Sequence, residues 1–261
     1  MPPKERPIRG GTGLLQATML DALKKWIRGS ETPSKGSDAM AAWAQGRGLT
    51  YRTVRDAGGF VIEGKVGTSA WRIEWGPSQR PYVPGKELRL RADLGVPADL
   101  QALILNRELR DAMEREVFDQ FVEDVQTRID TTTPPEMRWL VMLPKVPSPE
   151  LKALRERYAA VVSFKPWLLE WLEGKLGQEL LNAPLGTGQP MVLMIGRGRM
   201  TLRTSMEDPD TQTVEAWLRL FECAIREANR STSHIADSQA PSTQPSMWAT
   251  SKEPGPGGQG S

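Results

Sequence analysis

The chain is poor in the residues that most often do chemistry. Its 261 residues include one histidine, His234, and one cysteine, Cys223. One cysteine excludes an intramolecular disulfide framework. The lone histidine lies in a C-terminal stretch of Ser, Thr, Pro, Gly and Gln. That argues against Ser-His-Asp triads, histidine general bases and His-containing zinc sites. Cys223 has no ordered histidine to act as its base, and helical pitch places it about 180° from the apolar stripe of its helix. It is expected either as an exposed thiol or as part of a second contact surface, and Leu220 beside it favours the second.

Long apolar runs are missing too. No stretch of about 18 apolar residues exists, so no transmembrane helix is expected. The opening MPPKERPIRGG has neither the apolar region nor the small-residue cleavage site of a signal peptide. The expected location is therefore the cytosol. Arginine outnumbers lysine by 23 to 11, which hints at a GC-rich bacterial genome.

Phosphate-loop signals are incomplete. Gly196-Arg197-Gly198-Arg199 lacks the Lys-Ser/Thr of a P-loop and the glycine spacing of a dinucleotide fingerprint, and it lies between two strand-like runs, so it reads as a hairpin turn. Gly10-Gly11-Thr12-Gly13 follows no strand. Asp111, Glu114, Glu116, Asp119, Glu123 and Asp124 line the polar side of a long helix, as solvated helix faces do. Glu63 and Glu74 sit on neighbouring predicted strands whose register the sequence does not give. No cofactor or metal is expected, and no catalytic residue is assigned.

What is present is a basic, aromatic hairpin. In Ser69–Arg91, SAWRIEWGPSQRPYVPGKELRLR, Trp71, Ile73 and Trp75 alternate with Arg72 and Glu74, and Leu88, Leu90 and Ala92 alternate with Arg89 and Arg91. A period of two gives one apolar and one charged sheet face. Pro77, Pro81 and Pro84-Gly85 punctuate the loop that carries Arg80 and Tyr82. The face offers a candidate binding surface of Arg72, Arg80, Tyr82, Arg89 and Arg91, with Trp71 and Trp75 behind it. Arginine and tyrosine so placed suit phosphate, carboxylate or nucleic acid. They also suit a solvated face paired with carboxylates. Charge is uneven: residues 1–91 carry 16 Lys/Arg against 8 Asp/Glu, and residues 92–140 carry 5 against 11. A basic hairpin lying beside an acidic helix is the simplest account.

The remaining pattern gives an α+β protein: an antiparallel sheet of about seven strands with helices packed on it. Strands are expected at Thr50–Arg55, Phe60–Val66, the Trp71 run, Glu87–Asp93, Arg138–Leu143, Met191–Ile195 and Arg199–Ser205. Helices are expected at Ala39–Gln45 (capped by Asp38), from Pro97 through Leu105 as a short turn, at Arg107–Asp130 behind an Asn106 cap, and from Ser148 through Val161. Two more are expected from Pro166 through Leu180, as one helix, and after Asp208-Pro209-Asp210. Leu88–Gln101 faintly echoes Met200–Thr213, each an arginine-bearing strand followed by Pro, Asp and a helix. Nine tryptophans are expected mainly in the core, with a groove lined by Trp71, Trp75, Trp167 and Trp171 as the alternative.

Residues 1–13 are expected to be disordered, 14–28 a tethered amphipathic helix, 29–37 a linker, 38–230 a single domain, and 231–261 a disordered tail. The helix at 14–28 is marginal in isolation and should dock on a partner, on a membrane surface or back onto the body. The functional expectation is a non-catalytic cytosolic interaction or regulatory module. It would hold a protein partner, or a second copy of itself, through the hairpin face or this helix. Nucleic-acid binding by the same face, and carboxylate/arginine chemistry on phosphoryl or glycosyl groups, are the alternatives.

Overall fold

Alternation of apolar and charged side chains decides the architecture, because each strand must hand one face to each side of a sheet. The computed structural model describes residues 35–54, 58–122 and 133–239. Its eight strands are β1 (Thr50–Val54), β2 (Gly59–Val66), β3 (Ser69–Pro77), β4 (Lys86–Asp93), β5 (Ala102–Asn106), β6 (Tyr158–Val162), β7 (Met191–Gly196) and β8 (Arg199–Ser205). They form one sheet in the order β1-β2-β3-β4-β8-β7-β5-β6. Every neighbouring pair is antiparallel. The helices are α1 (Lys35–Gly46), α2 (Arg107–Val122), α3 (Pro135–Met142), α4 (Lys165–Leu172), α5 (Lys175–Leu181) and α6 (Thr211–Gln239). A 3-10 segment covers Ser148–Glu156. The fold is α+β.

The inner face of the sheet is predominantly apolar. Phe60, Ile62, Trp71, Ile73, Leu88, Leu90, Met200, Leu202, Leu193 and Ile104 bury against α1, α4, α5 and α6. The outer face changes character across the strands. At the β5–β7 end Leu103, Leu105, Val161 and Val192 pack under Leu109 and Met113 of α2 and Met137 and Leu140 of α3. At the β1–β4 end the same face carries Arg52, Glu63, Arg72, Glu74, Arg89 and Arg91, as the register requires. Two helices therefore cover half of the outer face.

Four sequence readings are corrected. Ala102–Asn106 is a strand buried on both faces, whereas the sequence suggested a helical turn. Arg138–Leu143 suggested a strand, and the chain there is α3. Both are short continuous apolar runs, which periodicity cannot assign. Proline decides α3, since Pro135 sits in its first turn. The helix from Ser148 ends at Glu156, so Tyr158 and Val161 lie on β6. The helix from Pro166 breaks at Gly174, whose φ of 86° suits glycine, giving α4 and α5.

Caps and ends shift as well. The Asn106 side chain accepts from the Met191 N–H at 2.8 Å and is buried at the end of β5, so it does not cap α2. Asp38 lies in the first turn of α1. Asp210, not Asp208, caps α6, its Oδ1 accepting from the Thr213 N–H at 2.8 Å. That helix runs to Gln239, past the expected end near Arg230, and carries His234. The readings for 14–28, the end of the long helix beyond Val122 and the tail beyond Gln239 lie outside the described residues. The Gly196–Arg199 turn is a hairpin, with Arg197 and Gly198 both at positive φ.

Cys223 is buried on the second contact surface of α6, so the exposed-thiol alternative is overturned. Burial, then Glu227 and Glu179, push its thiol up. Expected outcome: a thiol-reactive dye labels native protein slowly at pH 8, and rapidly once urea unfolds it. Equal rates in both states would contradict the burial.

Candidate functional site

The charged half of the outer face is a ladder of alternating ions. Period-two patterning places the side chains, and the register joins them across strands. Arg52 Nη2 donates to Glu63 Oε1 at 2.7 Å, and Arg72 Nη1 lies 3.6 Å from the same oxygen. Arg72 Nε reaches Glu74 Oε1 at 2.8 Å. Arg89 donates to Glu74 through both Nε, at 2.8 Å, and Nη2, and its Nη1 lies 3.4 Å from Glu87. Arg203 binds the other oxygen of Glu87, and its Nε is 3.6 Å from Glu136. Arg80 Nε closes the series on Glu136 at 3.1 Å. The ladder thus counts five guanidinium groups and four carboxylates.

It begins in solvent and ends in the core. The Arg52 side chain is 58% exposed and that of Glu136 is 0%. Glu136 belongs to α3 and sits over β8, so the covering helix delivers the last carboxylate. Pairs at the exposed end contribute about 0–1 kcal/mol each. At the buried end, removing one partner strands a charge and costs about 3–5 kcal/mol.

Each residue of the predicted site now has a place. Arg72, Arg80 and Arg89 are in the ladder, paired to glutamates of the strands and of α3 rather than to the acids of α2. Arg89 lies on the outer face as its alternation implies, but it is buried there between Glu74 and Glu87 rather than open to solvent. Tyr82 is partly buried against the outer-face cluster, with its hydroxyl beside Glu136. Burial, and then Glu136, push its ionisation far above the ordinary value. Trp71 and Trp75 belong to the inner core: Trp71 Nε1 donates to Glu222 at 3.0 Å, and Trp75 Nε1 to the Met206 carbonyl at 2.7 Å. Trp167 and Trp171 are buried in the same core, with ring centroids 5.0 Å apart. Arg91 stands apart. It is half-buried and makes no hydrogen bond or ion pair with any described residue.

The carboxylate readings resolve by register. Glu63 and Glu74 lie on the same face, both held by Arg72, so they form part of the ladder. Among the described residues no group of three His, Cys, Asp or Glu is arranged to hold a metal. His234 Nδ1 lies 2.9 Å from Glu170 on the far surface. The sequence reading missed Glu87, Glu136 and Arg203. The available signal for Arg203 was its place in a β8 alternation; for Glu136 there was none.

No protein-family model matches the chain, and no curated protein matches it. One solved structure, that of the mycobacterial trehalose monomycolate transport factor A (TtfA), aligns at 9% identity and a TM-score of 0.42, over 76% of this chain and 94% of that one. A likeness of that size bears on neither fold nor function.

Two outcomes test the ladder. Glu136→Gln should lower unfolding free energy by about 3–5 kcal/mol, while Arg52→Gln should change it by less than about 1 kcal/mol, both read from urea melts. The second concerns pH. Burial alone would raise the Glu74 carboxyl, but the hydrogen bond and charge of Arg89, with Arg91 and Arg72, hold it below the ordinary glutamate value of 4.5. The unfolded chain therefore takes up this proton at higher pH than the folded one. Stability from Glu74 is complete above the unfolded value and is lost as pH falls through the lower folded value. Glu74→Gln should flatten the acid limb of stability against pH below about pH 5.

Proposed function

We propose that the protein is a non-catalytic interaction module that binds a protein partner on the bare half of its outer sheet face. The observation that carries this reading is the asymmetry of cover. Among the described residues helices cover most of the inner face and the β5–β7 half of the outer face, while the β1–β4 half presents a fixed array of charged side chains. Ion pairs across four strands hold that array in one geometry before any partner arrives, which limits the ordering entropy of binding. Each carboxylate of the ladder is met by two guanidinium groups, which suits recognition better than general acid–base work.

A protein partner suits the face better than nucleic acid does. Phosphate-tracking surfaces are continuous basic stripes. Here the signs alternate, and Asp93 and Glu63 interrupt the positive field. On this reading the module works in a bacterial cytosol, in keeping with its single cysteine and its bias toward arginine. The helix expected at 14–28 is a second contact element, toward a partner or a membrane surface.

Photo-crosslinking amino acids at Thr50 and Lys65, both exposed on the outer face, test the proposal against a control at Gln178 on α5. The expected outcome in cells is one protein adduct shared by the two outer positions, absent from Gln178 and resistant to nuclease. Adducts that nuclease removes would favour the nucleic-acid reading. Equal adducts from all three positions, or none from the outer pair, would overturn it.

A further inference from the structure

Two arginines hold equivalent places in the sheet and are treated differently. In the echo between Leu88–Gln101 and Met200–Thr213, Leu90 aligns with Leu202 and Arg91 with Arg203. The β4–β8 register pairs Leu90 with Leu202, so a local two-fold axis passes between them and relates Arg91 to Arg203. Both side chains emerge on the outer face. Arg203 is covered: α3 lies over it and brings Glu136, and Glu87 completes its neutralisation. Among the described residues no helix lies over Arg91 and none pairs with it within ion-pair distance; Glu74 acts on it only from further off.

Its surroundings make that vacancy costly. Arg72 lies directly opposite on β3, with its charge already committed to Glu63 and Glu74. Thr201 lies directly opposite on β8 with no hydrogen bond from its hydroxyl to any described residue. Arg199, the next outer residue of β8, is taken by Asp93 at 3.0 Å. Partial burial, then Arg89, Arg203 and Arg199, all disfavour the charged form of Arg91, against one opposing carboxylate, Glu74. On the β7 side Trp139 of α3 stands over Gly196, where a Cβ would lie 2.4 Å from its ring, and forms the wall at which the cover stops. The site is a step: an apolar helix edge above, a guanidinium and a hydroxyl at its foot.

We infer that Arg91 and Thr201 receive a carboxylate from an acidic segment of a protein partner docked on the bare half of the face, as Glu136 of α3 is received by Arg203 on the covered half. The inference rests on the proposed protein-binding role and supplies its chemistry. One unpaired guanidinium beside a hydroxyl matches one carboxylate; a phosphate chain would need several such cations in a row.

The test is an amide-resolved NMR titration of the full chain with acetyl-(Glu)4-amide, acetyl-(Gln)4-amide and (dT)8. The expected result is a saturable shift of the Arg91, Thr201 and Arg72 amides with the Glu peptide and none with the Gln peptide. Arg91→Met, which keeps the aliphatic stem, should weaken that response about tenfold, the scale of one charged hydrogen bond. Arg91→Lys should retain part of it, and Arg52→Gln should leave it within about twofold, as expected for an exposed pair. If Arg91→Met unfolds the chain, the Arg91→Lys comparison decides. Unchanged binding in the substituted protein, or no shift at these amides, overturns the inference. Tighter binding of (dT)8 at the same amides reassigns the site to phosphate. Peptide binding without crosslinks from Thr50 and Lys65 would leave this site standing and remove the proposed role; crosslinks without peptide binding would do the reverse.

Discussion

At the centre of the sheet Arg89 on β4 lies directly across from Arg203 on β8, and both are buried. Like charges directly opposite each other destabilise a strand pair, and burial deepens the penalty. The structure answers with carboxylates on both flanks. Glu87, on the same strand as Arg89, binds both guanidinium groups, one with each oxygen. Glu74 takes the far side of Arg89 from β3, and Glu136 takes Arg203 from α3. The ladder, the position of α3 and the shape of the 78–84 loop, whose Arg80 closes on Glu136, all follow from neutralising that pair. A network of this kind contributes little net stability relative to apolar packing, but its partial loss is expensive.

The same network explains the boundary between the two halves of the outer face. Reading across from β2 to β5 in one row gives Glu63, Arg72, Arg91, Thr201, Met194 and Leu103. The row passes from charged to apolar at β8. Helices can bury only the apolar end, so α2 and α3 stop there. At their edge Glu136 is the one carboxylate that α3 turns inward, and its burial is tolerable because two arginines meet it. The exposed Phe118, Val141 and Met142 lie on the outer sides of these same helices, beyond the row they cover.

Much of this architecture is legible in the sequence, and the illegible parts share a cause. Wherever apolar and charged residues alternate, as in Trp71–Trp75 and Leu88–Ala92, strand and face can be read directly. The glycine turns at Gly67-Thr68 and Arg197-Gly198 fix their hairpins. The runs ALILN and RWLVML have no alternation, so only their surroundings distinguish them: the first is sandwiched between β6 and β7, and the second begins behind two prolines. The arginine face was visible, and its pairing was not. Glu63 to Arg72 is nine residues in sequence, but Glu87 to Arg203 is 116 and depends on β8 returning beside β4. Register between distant strands is not written in any local window. Cys223 shows the same limit, since a wheel gives the angle of a side chain and not whether α5 stands opposite it.

The local two-fold at Leu90 and Leu202 turns a faint sequence echo into a structural comparison. If the two halves were equivalent, Arg91 and Arg203 would have the same partners. They do not, because the chain diverges after each strand. Behind β8, Pro209 and the Asp210 cap lead into α6, which packs on the inner face. Behind β4, Pro97 leads through a turn into β5, where the sequence had suggested a matching helix. The chain then builds α2 and α3 over the second half only. Arg203 acquires a lid that carries a carboxylate, and among the described residues Arg91 acquires none. The twin of Arg203 thus keeps its charge beside arginines that are already committed, Arg72 to Glu63 and Glu74 and Arg199 to Asp93, and the asymmetry between the two positions comes from where the chain goes after each strand rather than from the strands themselves.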